Sequence, residues 1–224
     1  MKRYVSSMLL IGLSASVYAQ QDKPVQYKLP DGKIVGHNQL DSVDKAWGGH
    51  GYLLRHDESD PKIAAVSPMT DDYLKKRAEE DANLKALLNT PAPDFTLTDL
   101  NGKQWTLAAL KGKTVVLNFW FTTCPGCIQE MPELNVLQKS FNKSEVIFLA
   151  PGLDDATSIK RFVKSHAFAY TLLPKAEALS NLYHISAYPT SMVIDPQGII
   201  RFQQVGGKNI KEEIIAAIAN IHNN

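Results

Sequence analysis

The stretch Thr114 to Phe121 is an apolar run broken by one polar residue inside it, Asn118, and it leads directly into Thr122-Thr123-Cys124-Pro125-Gly126-Cys127. A run of this kind, without apolar/polar alternation, fits a central strand buried on both faces. Beyond it, Cys127, Met131, Leu134 and Phe141 recur near helical spacing, so the following segment reads as a helix with one inward stripe. Pro132 is expected to interrupt and kink that helix, because its ring crowds the preceding turn and it lacks an N–H. A strand buried on both faces needs layers above and below it, which restricts the chain to layered α/β folds. The same junction places Cys-x-x-Cys at a helix N-terminus, where one turn brings two sulfurs together and the helix dipole favours a thiolate.

The chain contains two cysteines, and both are in this pair. A bridge between them closes almost no loop and constrains the unfolded chain little, so the pair reads as chemical rather than structural. The lack of a second cysteine pair argues against a half zinc site, and His37, His50 and His56 have no regular ligand spacing, so no metal and no cofactor is expected. The N-terminus has basic Lys2 and Arg3, apolar Met8 to Val17, and small Ala19 before polar Gln20-Gln21-Asp22. This predicts a cleaved leader over residues 1–19, too short in its apolar part to span a bilayer. Export would place the cysteines where disulfides persist. The formal net charge is +1, and removing Lys2 and Arg3 leaves the remainder close to neutral, which argues against a nucleic-acid or membrane-surface partner.

Residues 20–90 read as a loop-rich extension ending in a connecting helix. Tyr27 to Val35 suggests a hairpin around Asp31-Gly32, a pair suited to a type I′ turn. Thr70 is a candidate N-cap for a largely solvated helix over Tyr73 to Leu88, which Thr90-Pro91-Ala92-Pro93 stops. From residue 91 the pattern predicts a hairpin (Phe95 to Leu107, turning at Asn101-Gly102) and the central strand with its helix. Next come a strand (Val146 to Ala150), a helix (Ala156 to Ser165, capped by Asp154 or Asp155), a strand (Tyr170 to Leu173) and a short helix (Ala176 to Tyr183). A second hairpin (Ser191 to Val205) and a closing helix (Ile210 to Ile221) finish the chain. The sum is a three-layer α/β domain over residues 91–224 with a mixed central sheet.

These residues carry a resemblance. Ala92-Pro93-Asp94-Phe95, Leu110-Lys111-Gly112-Lys113, Val116-Leu117-Asn118-Phe119-Trp120 and Cys124-Pro125-Gly126-Cys127 with Glu130 and Pro132 beyond stand in the expected order. They are followed by Tyr188-Pro189-Thr190 and by Val193-Ile194-Asp195-Pro196-Gln197-Gly198. The chain from residue 92 on thus resembles the thioredoxin superfamily and, within it, the TlpA/ResA-like exported thiol:disulfide oxidoreductases; residues 20–90 lie outside the resemblance. Thr123 stands where many relatives carry Trp, and Pro-Gly between the cysteines departs from the more frequent dipeptides.

Cys124, at the helix N-terminus, is the expected nucleophile, and Cys127, one turn in, the resolving thiol. Glu130 falls on nearly the same helical face as Cys127, where partial desolvation would raise its pKa and suit it to exchange the Cys127 proton. The resemblance places a glutamate there too. It also implies that Tyr188–Pro189 is a cis peptide facing the dithiol, with the Tyr188 backbone pairing to the substrate chain. Trp120, Pro125 and Gly126 complete the expected substrate-contact set. Asn118 falls where thioredoxin itself carries a buried aspartate, which leaves Glu130 as the natural substitute.

The leading expectation is an exported, periplasmic enzyme that reduces disulfides of exported proteins and is fed by a membrane dithiol donor, without stable membrane insertion. Two rivals stand beside it. A peroxiredoxin-like peroxidase expects Pro and Thr before its cysteine, where this chain has Leu117 and Phe121. A redox-sensitive binding module would use residues 20–90 to hold a partner, and has no need of Glu130 or the proline loop.

Overall fold

The computed structural model describes residues 26–56, 62–142 and 144–223; the leader expected over residues 1–19 lies outside them. The chain divides into two compact units, one up to Tyr73 and the other from Leu74 on.

In the first unit, β1 (Gln26–Lys28), β2 (Ile34–Val35), β3 (Tyr52–His56) and β4 (Ile63–Pro68) form a sheet in the order β2-β1-β4-β3, with α1 (Leu40–Ala46) between β2 and β3. Strands β1 and β4 are parallel, and the other pairs are antiparallel. Tyr27, Val35, Leu40, Ala64 and Val66 form its core. The sequence suggested loops here. Tyr52 to His56 shows no apolar/polar alternation and Ile63 to Pro68 ends on a proline, so neither strand carries a strong local signal.

Helix α2 (Asp71–Ala86) begins where the sequence placed its cap, with the Tyr73 N–H donating to Thr70 Oγ1 at 3.2 Å. The second unit continues with β5 (Thr96–Thr98), β6 (Gln104–Thr106), β7 (Thr114–Phe119), α3 (Pro125–Lys139), β8 (Val146–Pro151) and α4 (Ala156–Phe162). It closes with β9 (Thr171–Leu173), α5 (Glu177–Leu182), β10 (Thr190–Ile194), β11 (Ile200–Val205) and α6 (Ile210–His222). Five of these strands make one sheet in the order β11-β10-β7-β8-β9. Strand β7 runs parallel to β8 and antiparallel to β10, so the sheet is mixed.

All six residues of β7 are buried, as expected of a run without apolar/polar alternation. Its side chains alternate between two cores. Val116 and Trp120 join Met131, Leu134 and Ile159 with Ile210, Ile214 and Ile218 on the face covered by α3, α4 and α6. Val115, Leu117 and Phe119 join Leu84, Phe95, Leu179 and Tyr183 on the face covered by α2, α5 and the β5–β6 hairpin. Asn118 points into the first face and donates from Nδ2 to Ser191 Oγ of β10 at 3.0 Å, so the polar residue in the interior of the strand is satisfied. Helix α3 runs through Pro132 to Lys139 without ending there, and the proline lies on the exposed side.

The hairpin turns differ from the expected type. Neither Asp31 nor Asn101 is left-handed, whereas Gly32, Gly102 and Gly198 have φ of 86, 86 and 87°. In each turn the glycine N–H donates three residues back, to Leu29, Asp99 and Asp195 O respectively. These are three-residue loops closed by a left-handed glycine.

Candidate active site

The site begins where β7 leaves the sheet. The Trp120 N–H donates to Pro151 O and the Leu153 N–H to Trp120 O, both at 3.1 Å, extending the β7–β8 ladder by one residue. Gly152 opposite leaves little room for a side chain, because a Cβ there would stand 3.0 Å from Ile159 Cδ1 and 3.1 Å from Trp120 Nε1. Beyond the sheet, Thr122 is clamped by Asp154: its N–H donates to Oδ2 at 2.7 Å and its hydroxyl to Oδ1 at 2.9 Å. Of the two adjacent acids before α4, Asp155 is the cap, accepting from the Ser158 N–H at 2.8 Å, which frees Asp154 for this clamp.

Cys124 is the N-cap of α3, with φ −82° and ψ 108°, and Pro125 opens the helix. Its Sγ accepts from the Cys127 N–H at 3.2 Å. A helix N-terminus leaves such donors without intrahelical partners, so the same N–H is available to a thiolate once the bridge is reduced. The two sulfurs are joined, with Cα atoms 5.3 Å apart. Both cysteines are only 2 % exposed, so approach to Cys124 is confined to the rim formed by exposed Thr123 and Pro125.

Glu130 lies three residues beyond Cys127 and is 9 % exposed. Burial pushes its carboxyl up to about 7, the Glu133 charge adds to this, and the Gly207 N–H facing it works in the opposite direction. Its Oε2 and the Tyr170 hydroxyl both lack a hydrogen-bond partner among the described residues. Tyr170 shares the α3-side core with both cysteines, and burial, then the Glu130 charge, pushes its hydroxyl pKa upward.

The Tyr188–Pro189 peptide is cis. Pro189 is buried against the helix start, where a Cβ added to Gly126 would stand 3.2 Å from Pro189 Cδ. The half-buried Tyr188 ring meets Phe121 edge-on, with centroids 5.4 Å apart. Cys124, Cys127, Glu130, Gly126, Tyr188 and Pro189 therefore gather around one helix end, with Pro125 at the rim. Trp120 does not present a contact surface. It is 0 % exposed, its indole N–H donates to Ala150 O at 3.2 Å, and its ring packs on Phe162 and Phe168. The aromatic that stands at the rim is Phe121, and Thr122, Asp154 and Gly152 are framework residues that the sequence did not reveal. The one signal for Asp154 was the doubled acid before a helix that needs a single cap.

Comparison with known proteins matches the AhpC/TSA family over residues 88–203. The chain is 34% identical over 132 residues to the thiol-disulfide oxidoreductase ResA of Bacillus anthracis, covering 58% of this chain and 76% of that protein. It is 35% identical over 125 residues to the thioredoxin-like protein YneN of Bacillus subtilis, covering 54% and 73%. A crystal structure of a thiol:disulfide interchange protein of the thioredoxin family from Chlorobium tepidum superposes with a TM-score of 0.53 at 27% identity, over 59% of this chain and 96% of that one.

Proposed function

We infer, for a chain that belongs to the AhpC/TSA family and is a thiol:disulfide oxidoreductase within it, that it is exported and reduces disulfides of exported proteins through Cys124 and Cys127. The observation that carries this reading is the placement of Cys124 as the α3 N-cap, bridged to Cys127, with cis-Pro189 packed at Gly126 between them.

In the reducing direction the Cys124 thiolate attacks one sulfur of a substrate disulfide, forming a mixed disulfide and releasing the other sulfur as a thiolate. The Cys127 thiol gives its proton to Glu130 and attacks Cys124 Sγ. The second substrate sulfur leaves as a thiolate and takes the proton from Glu130, the first is protonated from solvent, and the enzyme is left oxidised. Glu130 suits this step because burial holds its pKa near 7, close to the working pH. Asn118 does not compete for the role, since its amide cannot accept the proton and is bonded to Ser191. The backbone at Tyr188 pairs with the substrate chain as a short added strand, and Gly126 keeps the helix end close to Pro189. A membrane dithiol donor returns the enzyme to its reduced form. Among the described residues no helix is long and apolar enough to cross a membrane.

The test is the reduction potential of the couple, measured by equilibration in thiol buffers, with Cys127→Ala as a trap for mixed disulfides. A potential near the thioredoxin end, roughly −270 mV, supports a reductase, whereas one near −120 mV makes the protein an oxidant. A pair that does not cycle sinks the reading. A peroxide assay addresses the peroxidase alternative, for which buried Leu117 and rim-packed Phe121 stand where Pro and Thr would be needed.

A further inference from the structure

The loop that brings Tyr188–Pro189 to the dithiol is anchored by side chains the chemistry above does not use. Helix α5 ends with the His184 N–H donating to Asn181 O at 3.1 Å and the Ile185 N–H to Ser180 O at 2.8 Å. This is a helix stop with a left-handed residue after the cap, and His184 occupies it at φ 54°. Glycine or asparagine is the usual occupant, because a larger residue is crowded there. The histidine ring instead reaches α2, placing Nδ1 3.2 Å from Glu80 Oε2. Two residues on, the Ser186 hydroxyl donates to Asp81 Oδ1, also at 3.2 Å. Helix α2 is itself fixed, since Leu84, one turn beyond Glu80, is buried in the sheet core. After the loop, the Pro189 carbonyl accepts from the Gly206 N–H at 2.8 Å, so the segment is tied at both ends.

We propose that Glu80 and Asp81 are positioning residues for the proline loop, through which α2 sets how well the site takes a polypeptide disulfide. This rests on the reading of Tyr188–Pro189 as the substrate edge. Pairing a substrate strand requires the edge groups to be held to within a fraction of an ångström. A small disulfide needs no such edge and depends on the sulfurs alone. The latch therefore separates two substrate classes that the dithiol by itself treats alike.

The full chain tests this with two substrates, insulin and dithionitrobenzoate. In Glu80→Ala/Asp81→Ala the KM for insulin is expected to rise about five-fold, with kcat and the turnover of dithionitrobenzoate unchanged. Ser186→Ala added to that variant is expected to have no further effect, and Asp81→Asn, which keeps an acceptor oxygen, to restore most of the insulin KM. His184→Asn is the discriminating variant. Asparagine suits the left-handed position but is too short to reach Glu80, so the insulin KM rises while the thermal midpoint holds or increases. An unchanged insulin KM in all variants overturns the proposal, as does an equal loss on both substrates that follows a lowered midpoint. A wild-type protein that reduces neither substrate removes the oxidoreductase reading along with it; one that reduces both while the variants match it removes the latch alone.

Discussion

Two arms meet at the disulfide. The dithiol arm, Phe119 to Cys127, is fixed by main-chain bonds to the adjacent strand, by one carboxylate and by a helix cap, and both of its cysteines are buried. The proline arm, His184 to Thr190, is fixed largely from a distance, through Glu80 and Asp81 more than a hundred residues earlier and through Gly206 after it. The first arm sets the reactivity of sulfur and the second the presentation of a chain to it. Damage to the first is therefore expected to affect every disulfide alike, and damage to the second only substrates with a backbone to align.

The strongest break in that division is Cys124→Ser. It removes the attacking sulfur, and turnover of polypeptide and small disulfides together is expected to fall to background in a steady-state assay. Next is Asp154→Ala, which removes both bonds to Thr122. Each is charge-assisted, so a loss of about 2 kcal/mol in the free energy of urea unfolding is expected, with slower attack on both substrate classes. If only insulin turnover suffered, Asp154 would belong to the other arm.

Glu130→Gln gives a smaller effect with a distinct pH signature. The ordinary glutamate value is 4.5 and the folded carboxyl sits near 7, so between these values the folded protein holds a proton that the unfolded chain has released. Stability from this group is complete below about 4.5 and declines as pH rises to about 7. The glutamine variant is expected to flatten that slope in urea midpoints taken from pH 4 to 8 on the oxidised protein, and a parallel slope in both proteins would show that another group titrates. Gly126→Ala is the mildest change and touches both arms. Its methyl would press on Pro189 at 3.2 Å. Restricting the unfolded chain adds roughly 0.4–1 kcal/mol where the fit is free of strain. The expected outcome is near-neutral stability with a modest loss of insulin turnover.

The same contrast explains what the sequence revealed. Strand β7, the α3 start and the spacing from Cys127 to Glu130 rest on residues close together in the chain, where periodicity and capping chemistry act, and they were legible. Proline 189 became legible only through resemblance, since nothing within a few residues of it reports the dithiol. The His184–Glu80 and Ser186–Asp81 contacts left no local trace. Five acids on α2, Asp71, Asp72, Glu79, Glu80 and Asp81, look equivalent in a helical pattern that offers most of its surface to solvent. Trp120 misled for a related reason. An aromatic beside a reactive cysteine suggests a contact surface, but the alternation of β7 turns this one inward, and only the packing of Phe162 and Phe168 shows that its ring has been used. The β3–β4 pair was missed because its pairing, unlike a hairpin with a short turn, has no compact turn signal.

The contact between Gly126 and Pro189 joins segments made at different times. A chain growing from its N-terminus completes β7, both cysteines and the start of α3 well before it reaches the proline and the strand that follows. During that interval the thiols exist without their partner surface, able to react but not to choose. Selectivity is the last property the nascent protein acquires, and reactivity among the first.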